Sequence, residues 1–391
     1  MKAILAPWVL PVVQPPIANG AVVFNADREI VYVGEQDHMP KCDVVERHAG
    51  HAILPGLVNA HTHLEFSDLK KPIGQPGMEF TKWISEVIAC RRGQNQTEED
   101  KTSAIKSGLQ QSLDHGVAAI GEIATTPLLA EHYANATNCF LNVFQEALGA
   151  DPSDYDRKLA ELRSNKKLLK ENEIVSAISP HAPYSVPPAL LQRLINVAVE
   201  TDSSVAIHLA ETTAEREFVE LRSGPFVEML KQFGVWQPKM YAAKDSILKI
   251  LKTVSQARRI LIIHGNYLNE NELDFIATVK EKMSVVFCPR THQYFRHDDY
   301  PIEAILNRGI NLAVGTDSRA SNPDLNLMHE LKEIRQRFPN LCSEAILEIG
   351  TINGATALDA AHHLGTLEQG RAGRFCFAKL LHANDPYSWL M

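Results

Sequence analysis

The sequence lacks the features that mark several classes of protein. No stretch approaches about eighteen consecutive apolar residues, which argues against a membrane span. No tract of lysine or arginine is longer than a pair and the formal net charge is -8, which argues against a nucleic-acid-binding surface. Six cysteines lie far apart without a C-x-x-C motif, and we expect reduced, buried thiols. These absences predict a cytoplasmic protein without a nucleic-acid or membrane partner.

The N-terminal run from Met1 to Val13 differs from a secretory signal peptide. Pro7 and Pro11 interrupt it, Lys2 is its one basic residue, and no clean small-x-small cleavage site follows at once. We interpret this run as the first strand of a small sheet.

The length of 391 residues, 45% of them apolar, fits two ordinary domains or one barrel-sized domain with an appendage. Alternating β-branched runs and 3.6-residue periodicity favour the barrel. The predicted barrel strands are Ile53 to Ala60, Val117 to Ile123, Phe140 to Ala147, Ile174 to Ser179, Ser204 to Leu209, Ile260 to His264, Ser284 to Cys288 and Ile310 to Gly315. The helical patterns between them are Phe80 to His115, Asp154 to Glu171, Pro188 to Thr201, Ala214 to Gly234, Glu270 to Lys282 and Ile302 to Arg308. This alternation predicts an α/β fold, a (β/α)8 TIM barrel.

Three segments organise the chain. Residues 1–51 contain short strand-like runs with turn signals and are predicted to form the first part of a small β domain. Residues 52–364 are predicted to form the barrel. Residues 365–391 form a tail whose strand-like stretch either rejoins the small β domain or stays apart from it.

Two histidines end the first barrel strand. His61 and His63 are two residues apart, and because strand side chains alternate between faces, both point the same way. Two imidazoles on one face form half of a first-row metal site. The alternative is a pair of solvated or capping histidines.

Three further strands end in a residue that can bind a metal. His208, His264 and Asp317 each follow an apolar run. One histidine after a strand is more often structural, but four similar strand ends favour a shared site, because a barrel carries its chemistry where its strands end.

The motifs in these segments occur in the order found in a known family. They are Pro55-Gly-Leu-Val-Asn-Ala-His-Thr-His63, His208-Leu-Ala-Glu211, His264-Gly265 and Gly315-Thr-Asp-Ser318. The chain resembles the amidohydrolase superfamily, in its cytosine deaminase and chlorohydrolase-like branch, from about residue 52 to 360. The resemblance implies one divalent metal, Zn²⁺ with Fe²⁺ as the alternative, held by His61, His63, His208 and Asp317. The fourth strand contains no lysine that could bridge two ions, which agrees with one metal.

The resemblance also implies catalytic roles. Glu211 corresponds to the acid that protonates a ring nitrogen, and its alternative role is to favour the N-terminus of a helix. His264 is expected to hold the attacking water or the developing oxygen. Asp317 binds the metal and also accepts a proton from water. A nucleophile, an acid, a stabiliser and a base together suit hydrolytic deamination.

Residues near the strand ends are candidates for substrate binding. Trp83 is interpreted as core packing, and Arg91 and Arg92 lie where some relatives place a ribose-binding acid. For Arg290 the alternative is an ion pair with a neighbouring acid, and for Arg92 it is a solvated helix face. The substrate-binding candidates are Glu65, Arg92, His181, Arg290, His292 and Ser318.

The most similar members of the branch are aminodeoxyfutalosine deaminases, which suggests an adenine nucleoside that bears a benzoate and a role in menaquinone biosynthesis. The alternatives are deamination of S-adenosylhomocysteine, methylthioadenosine, guanine or a pterin, hydrolytic dechlorination, and a non-catalytic barrel that serves as a scaffold. We also expect a homodimer. The segment Gly365-Thr-Leu-Glu-Gln-Gly370 matches the end of the family pattern, but the Ala-Asp-Leu strand that usually follows is missing.

Overall fold

The chain forms two sheets with helices packed around one of them. The computed structural model describes residues 1–93, 97–125, 128–133, 139–238 and 246–391. Its strands are β1 (Lys2–Val9), β2 (Ile17–Phe24), β3 (Ile30–Glu35), β4 (Val44–Arg47), β5 (His51–Pro55), β6 (Leu57–His63), β7 (Val117–Ala124), β8 (Phe140–Ala147), β9 (Val175–Pro180), β10 (Val205–Leu209), β11 (Ile260–His264), β12 (Met283–Phe287), β13 (Asn311–Val314), β14 (Asp317–Ser318) and β15 (Phe375–Lys379).

The helices lie mainly between the barrel strands. They are α1 (Phe80–Gly93), α2 (Glu98–Asp114), α3 (Tyr155–Glu171), α4 (Pro188–Glu200), α5 (Thr213–Leu221), α6 (Pro225–Gln232), α7 (Ile247–Val254), α8 (Glu270–Thr278), α9 (Pro289–Phe295), α10 (Ile302–Asn307), α11 (Leu327–Arg337), α12 (Ser343–Gly350) and α13 (Ile352–Ala357). Among the described residues, none of these helices has both the length and the apolar character needed to cross a bilayer.

The larger sheet confirms the predicted barrel. Its parallel strands run in the order β13, β12, β11, β10, β9, β8, β7, β6, β14. β13 pairs with β12, and β14, two residues further along, pairs with β6, so the eighth strand closes the barrel in two pieces. Gly315 lies between these pieces, where a Cβ atom would be 2.7 Å from the carbonyl oxygen of His61. Closure beside β6 therefore requires a glycine there.

The smaller sheet has the order β15, β5, β1, β2, β3, with β4 paired to β1. β15 runs antiparallel to β5 and places Phe377 opposite Ile53, so a strand of the C-terminal tail joins this sheet. The prediction of one barrel strand from Ile53 to Ala60 was wrong, because β5 belongs to the small sheet and β6 to the barrel. Gly56 separates them, where a Cβ atom would lie 2.4 Å from that of Ala118.

Two predicted helices are each divided in the structure. The segment Phe80 to His115 contains α1 and α2, and its residues 94–96 lie outside the described part of the chain. Thr97 begins α2 through a capping box with Asp100, whose carboxylate accepts the Thr97 N–H. The segment Ala214 to Gly234 contains α5 and α6, separated by Gly224 at φ 85°. Local helix caps therefore divide each of the two segments that the 3.6-residue periodicity had predicted as one helix.

The barrel interior is apolar below the strand ends. Val58, Ile123, Phe144, Leu261 and Val286 form part of a buried cluster inside the strands. A second, larger cluster fills the layer between the strands and the helices. A packed interior leaves the upper, C-terminal ends of the strands as the place where a cavity can open.

Candidate metal centre and active-site cavity

The histidines predicted from strand ends converge at the upper end of the barrel. The ring centroid of His61 lies 4.9 Å from that of His63, 4.9 Å from that of His208 and 5.8 Å from that of His264. These residues come from β6, β10 and β11. Side chains far apart in sequence thus meet in one place, as parallel strands of a barrel dictate.

The donor atoms at this place fit a divalent metal. One ring nitrogen from each of His61, His63 and His208 lies within 4.8 Å of the others. Oδ1 of Asp317 is 3.5 Å from Nε2 of His61 and 3.7 Å from Nε2 of His63. Both ring nitrogens of His61 are fully buried and find no hydrogen-bond partner among the described residues. A buried imidazole in this condition is costly unless a ligand meets it, and a metal ion satisfies it.

Neighbouring groups fix which donor atoms face the site. Nδ1 of His208 donates to the carbonyl oxygen of His181 at 2.9 Å, which leaves Nε2 free to bind a metal. Ser321 Oγ donates to Oδ2 of Asp317 at 3.1 Å, which leaves Oδ1 facing the histidines. The tautomer of His208 and the orientation of the Asp317 carboxylate are therefore set before a metal binds.

A second group of donors is formed by Glu146, His181 and His208, whose atoms also lie within 4.8 Å of one another. His208 belongs to both groups, and Nε2 is its one nitrogen available for a metal. One nitrogen cannot serve two ions, so the two groups cannot both be complete. This geometry favours a single ion at His61, His63, His208 and Asp317.

Two of the candidate residues have a left-handed backbone. His264 has φ 68° and Asp317 has φ 54°, a region that costs about 1–3 kcal/mol for a residue with a side chain. Side-chain hydroxyls hold both peptides in place, since Tyr300 Oη donates to the carbonyl oxygen of His264 at 3.1 Å and Thr62 Oγ1 to that of Asp317 at 2.9 Å. The surrounding structure thus maintains a strained backbone at the site.

Glu211 lies just before α5 with a buried carboxyl group. Its Oε1 is 3.6 Å from Nε2 of His264. Burial raises the pKa of the Glu211 carboxyl well above its ordinary value, and the nearby Asp317 and Glu215 add to the effect. A carboxyl group in such surroundings retains a proton that it can donate.

The backbone around Glu211 is held by a second carboxylate. Glu215 accepts the main-chain N–H groups of Ala210 at 2.8 Å and of Glu211 at 3.1 Å. Asn266 donates to the carbonyl oxygen of Glu211 at 3.0 Å. The position of Glu211 is thus determined by contacts to its main chain, which leaves its side chain available.

His264 lies beside Glu211 in this part of the site. Burial lowers the pKa of its imidazole well below the ordinary value. A neutral imidazole can both accept and donate a hydrogen bond, which suits a group that holds a water molecule.

A cavity of about 420 Å³ opens above these residues. Its polar lining consists of His63, Glu65, Thr125, Glu146, His181, Ser185, His208, Glu211, His264, Asp317 and Ser318. The large apolar side chains that line it are those of Phe66, Phe80, Trp83, Ile84, Val87, Ile88, Leu148, Tyr184, Met229, Leu230, Phe233 and Val235. The cavity thus has a polar side at the metal ligands and an apolar side formed largely by α1 and the end of α6.

The structure brings some of the predicted substrate-binding residues to the cavity. Glu65, His181 and Ser318 line it. Glu65 is 3% exposed and its carboxylate is occupied, with Oε1 2.6 Å from Arg91 Nη2 and Oε2 accepting from Thr125 Oγ1 at 2.6 Å. Glu65 therefore shapes the wall through its ion pair.

Other predicted residues lie elsewhere. Arg92 is exposed on α1 and is not among the lining residues, in keeping with the alternative of a solvated helix face. Arg290 forms a bidentate ion pair with Asp324, Nη1 to Oδ1 at 2.7 Å and Nη2 to Oδ2 at 3.2 Å. His292 is buried and accepts from Arg337 Nη1 at 2.8 Å. The structure thus brings none of these three to the cavity.

Sequence reasoning missed Glu146 and the apolar lining that α1 and α6 contribute. Trp83, interpreted as core packing, lines the cavity while its Nε1 donates to the carbonyl oxygen of Ala320 at 3.3 Å. Glu146 ends β8 as the other candidates end their strands, a signal that was available in the sequence. Burial raises the pKa of its carboxyl to about 8.

Comparison with known proteins gives consistent findings. The sequence model of the amidohydrolase family matches residues 52–388. The chain is 26% identical to a 5-methylthioadenosine/S-adenosylhomocysteine deaminase of Moorella thermoacetica, over 93% of this chain and 82% of the relative. It is 28% identical to an aminodeoxyfutalosine deaminase of Nitratiruptor, over 86% of this chain and 81% of the relative.

Solved structures share the fold. An aminofutalosine deaminase of Helicobacter pylori in complex with methylthio-coformycin superposes with a TM-score of 0.81 at 21% identity, covering 100% of this chain and 95% of that one. Atrazine chlorohydrolase of Arthrobacter aurescens complexed with zinc has a TM-score of 0.81 at 18% identity, covering 100% and 91%.

Proposed function

The chain belongs to the amidohydrolase family, and from this premise we propose that it is a metal-dependent hydrolytic deaminase of adenine nucleosides. One observation carries the proposal: a buried carboxyl group, Glu211, lies beside His264 and next to a set of donors that fits one divalent ion. An adenine ring needs this combination, because its amino-bearing carbon becomes electrophilic once the adjacent ring nitrogen receives a proton.

The metal of the proposal is Zn²⁺, with Fe²⁺ as the alternative, held by His61, His63, His208 and Asp317. When bound, such an ion supplies Lewis acidity that lowers the pKa of water to about 7. Imidazole and carboxylate donors suit either metal.

Each proton transfer is then assigned to one residue of the chain. Glu211 donates its proton to the ring nitrogen, and Asp317 accepts a proton from the attacking water. His264 holds the oxygen as the C–O bond forms. The C–N bond breaks when the amino group receives the proton that Asp317 carries, and ammonia leaves. The new hydroxyl group gives its remaining proton to Glu211, which restores the acid. Water is consumed and an oxo-purine nucleoside and ammonia are produced, so atoms and charges balance.

Two nucleosides are the leading substrates. Aminodeoxyfutalosine is the specific proposal from the sequence motifs, and it is supported by the relative from Nitratiruptor. 5′-Methylthioadenosine is the second candidate. It is favoured because the lining within the described part of the chain has a large apolar side and contains neither arginine nor lysine. A carboxylate that enters a partly dry cavity needs a partner, whereas a methylthio group does not.

We expect the protein to release ammonia from at least one of these nucleosides. The kcat/KM for that nucleoside should be at least about tenfold above the values for free adenine, guanine or a pterin, because a nucleoside fills more of the cavity. The measurement is ammonia release across the panel, with chloride release from a chlorotriazine assayed alongside. Faster chloride release would favour the dechlorinase. A metal-loaded protein that releases neither product would favour the scaffold.

Substitution of Arg290 tests whether this residue stabilises the fold through Asp324 or contacts the substrate. We expect Arg290→Ala to lower the free energy of unfolding by about 2 kcal/mol, between the values for exposed and buried ion pairs. Asp324 loses its bidentate arginine partner, and buried Glu330 loses a nearby cation. The kcat/KM for both nucleosides should stay within about twofold of the unaltered protein, since Arg290 does not line the cavity.

The measurements are urea unfolding and steady-state kinetics. Arg92→Ala serves as the matched control, because this arginine is exposed and should change neither quantity. A selective loss of activity on aminodeoxyfutalosine in Arg290→Ala, without loss of stability, would restore Arg290 as its carboxylate contact.

A further inference from the structure

Glu146 is a buried carboxyl group in the cavity wall with an unsatisfied oxygen. Its side chain is 7% exposed, and its Oε1 accepts no hydrogen bond from the described residues. The nitrogen of His181 that faces it, Nε2, is 3.9 Å away, beyond hydrogen-bond distance. The residue lines the same cavity as Glu211 and Asp317.

An unsatisfied carboxyl oxygen of this kind calls for a ligand. Buried polar groups in folded proteins almost always have a partner, and leaving one without a partner costs stability. Glu146 lies near the C-terminal end of β8, where its side chain lines the cavity. The partner is therefore expected to come from the cavity.

A metal ion is a poor candidate for this partner. Nε2 of His208 is committed to the ion shared with His61 and His63, while its Nδ1 is bound to a carbonyl group. Glu146 and His181 would remain as a pair of protein ligands, fewer than zinc sites ordinarily have.

The position of Glu146 indicates which part of a nucleoside would meet it. The carboxyl group of Glu146 lies within 4.8 Å of ring nitrogens of His181 and His208, in a group that does not include His61 or His63. Glu146 therefore lies on the His181 side of the candidate metal ligands. With the purine ring at the metal ligands, the sugar is the next part of the molecule, and its vicinal hydroxyls are donors that a carboxyl group accepts.

We propose that Glu146 is a specificity-determining residue that binds the sugar hydroxyls of the substrate. The inference rests on the proposed nucleoside deaminase function. It deepens that function, because it predicts that the enzyme requires the diol as well as the purine ring. His181 assists by lying beside the same carboxyl group, with its Nδ1 held by Ser185 Oγ at 2.6 Å.

The test compares adenosine with 2′,3′-dideoxyadenosine, which lacks both hydroxyls. We expect Glu146→Ala to lower kcat/KM for adenosine by about tenfold to a hundredfold, the scale of a lost hydrogen bond to a buried carboxyl group. The kcat/KM for the dideoxy substrate should stay within about twofold. Glu146→Gln retains one acceptor oxygen and should give an intermediate loss for adenosine alone.

Glu161→Gln is the matched control. Glu161 on α3 lines a neighbouring pocket together with Glu146, but it does not line the cavity. Glu161→Gln should leave the ratio of kcat/KM for adenosine to kcat/KM for 2′,3′-dideoxyadenosine unchanged. Thermal unfolding and metal content of each variant, measured on the metal-loaded protein, identify any variant that fails to fold.

Two outcomes would overturn the inference. An equal loss for both substrates in Glu146→Ala would show that Glu146 acts on the fold. A second bound ion that disappears in Glu146→Ala would show a metal site instead.

Binding of the product separates this inference from the proposed function. Calorimetry with inosine and 2′,3′-dideoxyinosine needs no turnover, and we expect the unaltered protein to bind inosine more tightly and Glu146→Ala to lose that preference. If no adenine nucleoside is deaminated but this preference is found, the function fails and the diol contact stands. If deamination occurs and the unaltered protein binds both nucleosides equally, the diol contact fails alone.

Discussion

His208→Ala is expected to abolish tight binding of the divalent metal and to reduce deamination to background. His208 supplies one of the nitrogens that converge with those of His61 and His63, and its orientation is already fixed by the carbonyl group of His181. Mutation of an outer partner of a metal ligand typically costs about 10–100-fold in affinity or activity, so the loss of a ligand itself is expected to exceed this range.

Metal analysis and turnover of the same preparation provide the measurement. His61→Ala should behave in the same way, whereas His38→Ala, a histidine on the exposed surface, should retain both metal and activity. The single-ion assignment would be wrong if the unaltered protein held two ions per chain. It would also fail if both site variants kept their full metal content.

Glu211→Gln is expected to retain the metal and lose at least about a hundredfold in kcat, within the range of roughly 10²–10⁴ usual for a lost general acid. Glutamine preserves the shape of the side chain, and the main-chain contacts to Glu215 and Asn266 stay in place. A neutral amide cannot give a proton to the ring nitrogen. The loss should therefore appear in kcat, with a much smaller change in metal content or stability.

Glu215→Gln is the comparison for this variant. Its carboxylate holds the main chain of Ala210 and Glu211, and glutamine keeps one of the two acceptor oxygens. We expect a loss of about tenfold, an effect of position rather than of proton transfer. Activity of Glu211→Gln within a few-fold of the unaltered enzyme would show that another group donates the proton.

The barrel could be predicted from the sequence because strands and helices have different hydrophobic periods, and the two kinds of segment alternate along the chain. The sequence placed His61, His63, His208, His264 and Asp317 together because every parallel strand of a barrel ends at the same face. This rule needs no knowledge of side-chain rotamers. The roles assigned to these residues stay predictions until the variants are measured.

The substrate contacts were harder to predict for a physical reason. Arg290 lies in the first turn of a helix, where a shift of one residue rotates a side chain by about 100° around the axis. Its partner, Asp324, lies in a loop thirty-four positions further along the chain. Sequence spacing cannot determine which acid such an arginine meets. The apolar lining from α1 could not be predicted either, because residues such as Ile84 and Val87 have the same spacing as a helix face that packs on the core.

β15 pairs with β5 although almost the whole barrel separates them along the chain. During synthesis the edge of β5 that pairs with β15 therefore stays open until β15 leaves the ribosome. An open edge of this kind invites pairing with another chain. β5 is also joined through Gly56 to β6, the strand that carries His61 and His63. Until β15 is synthesised, the nascent chain therefore has an unpaired strand edge next to the strand that carries His61 and His63.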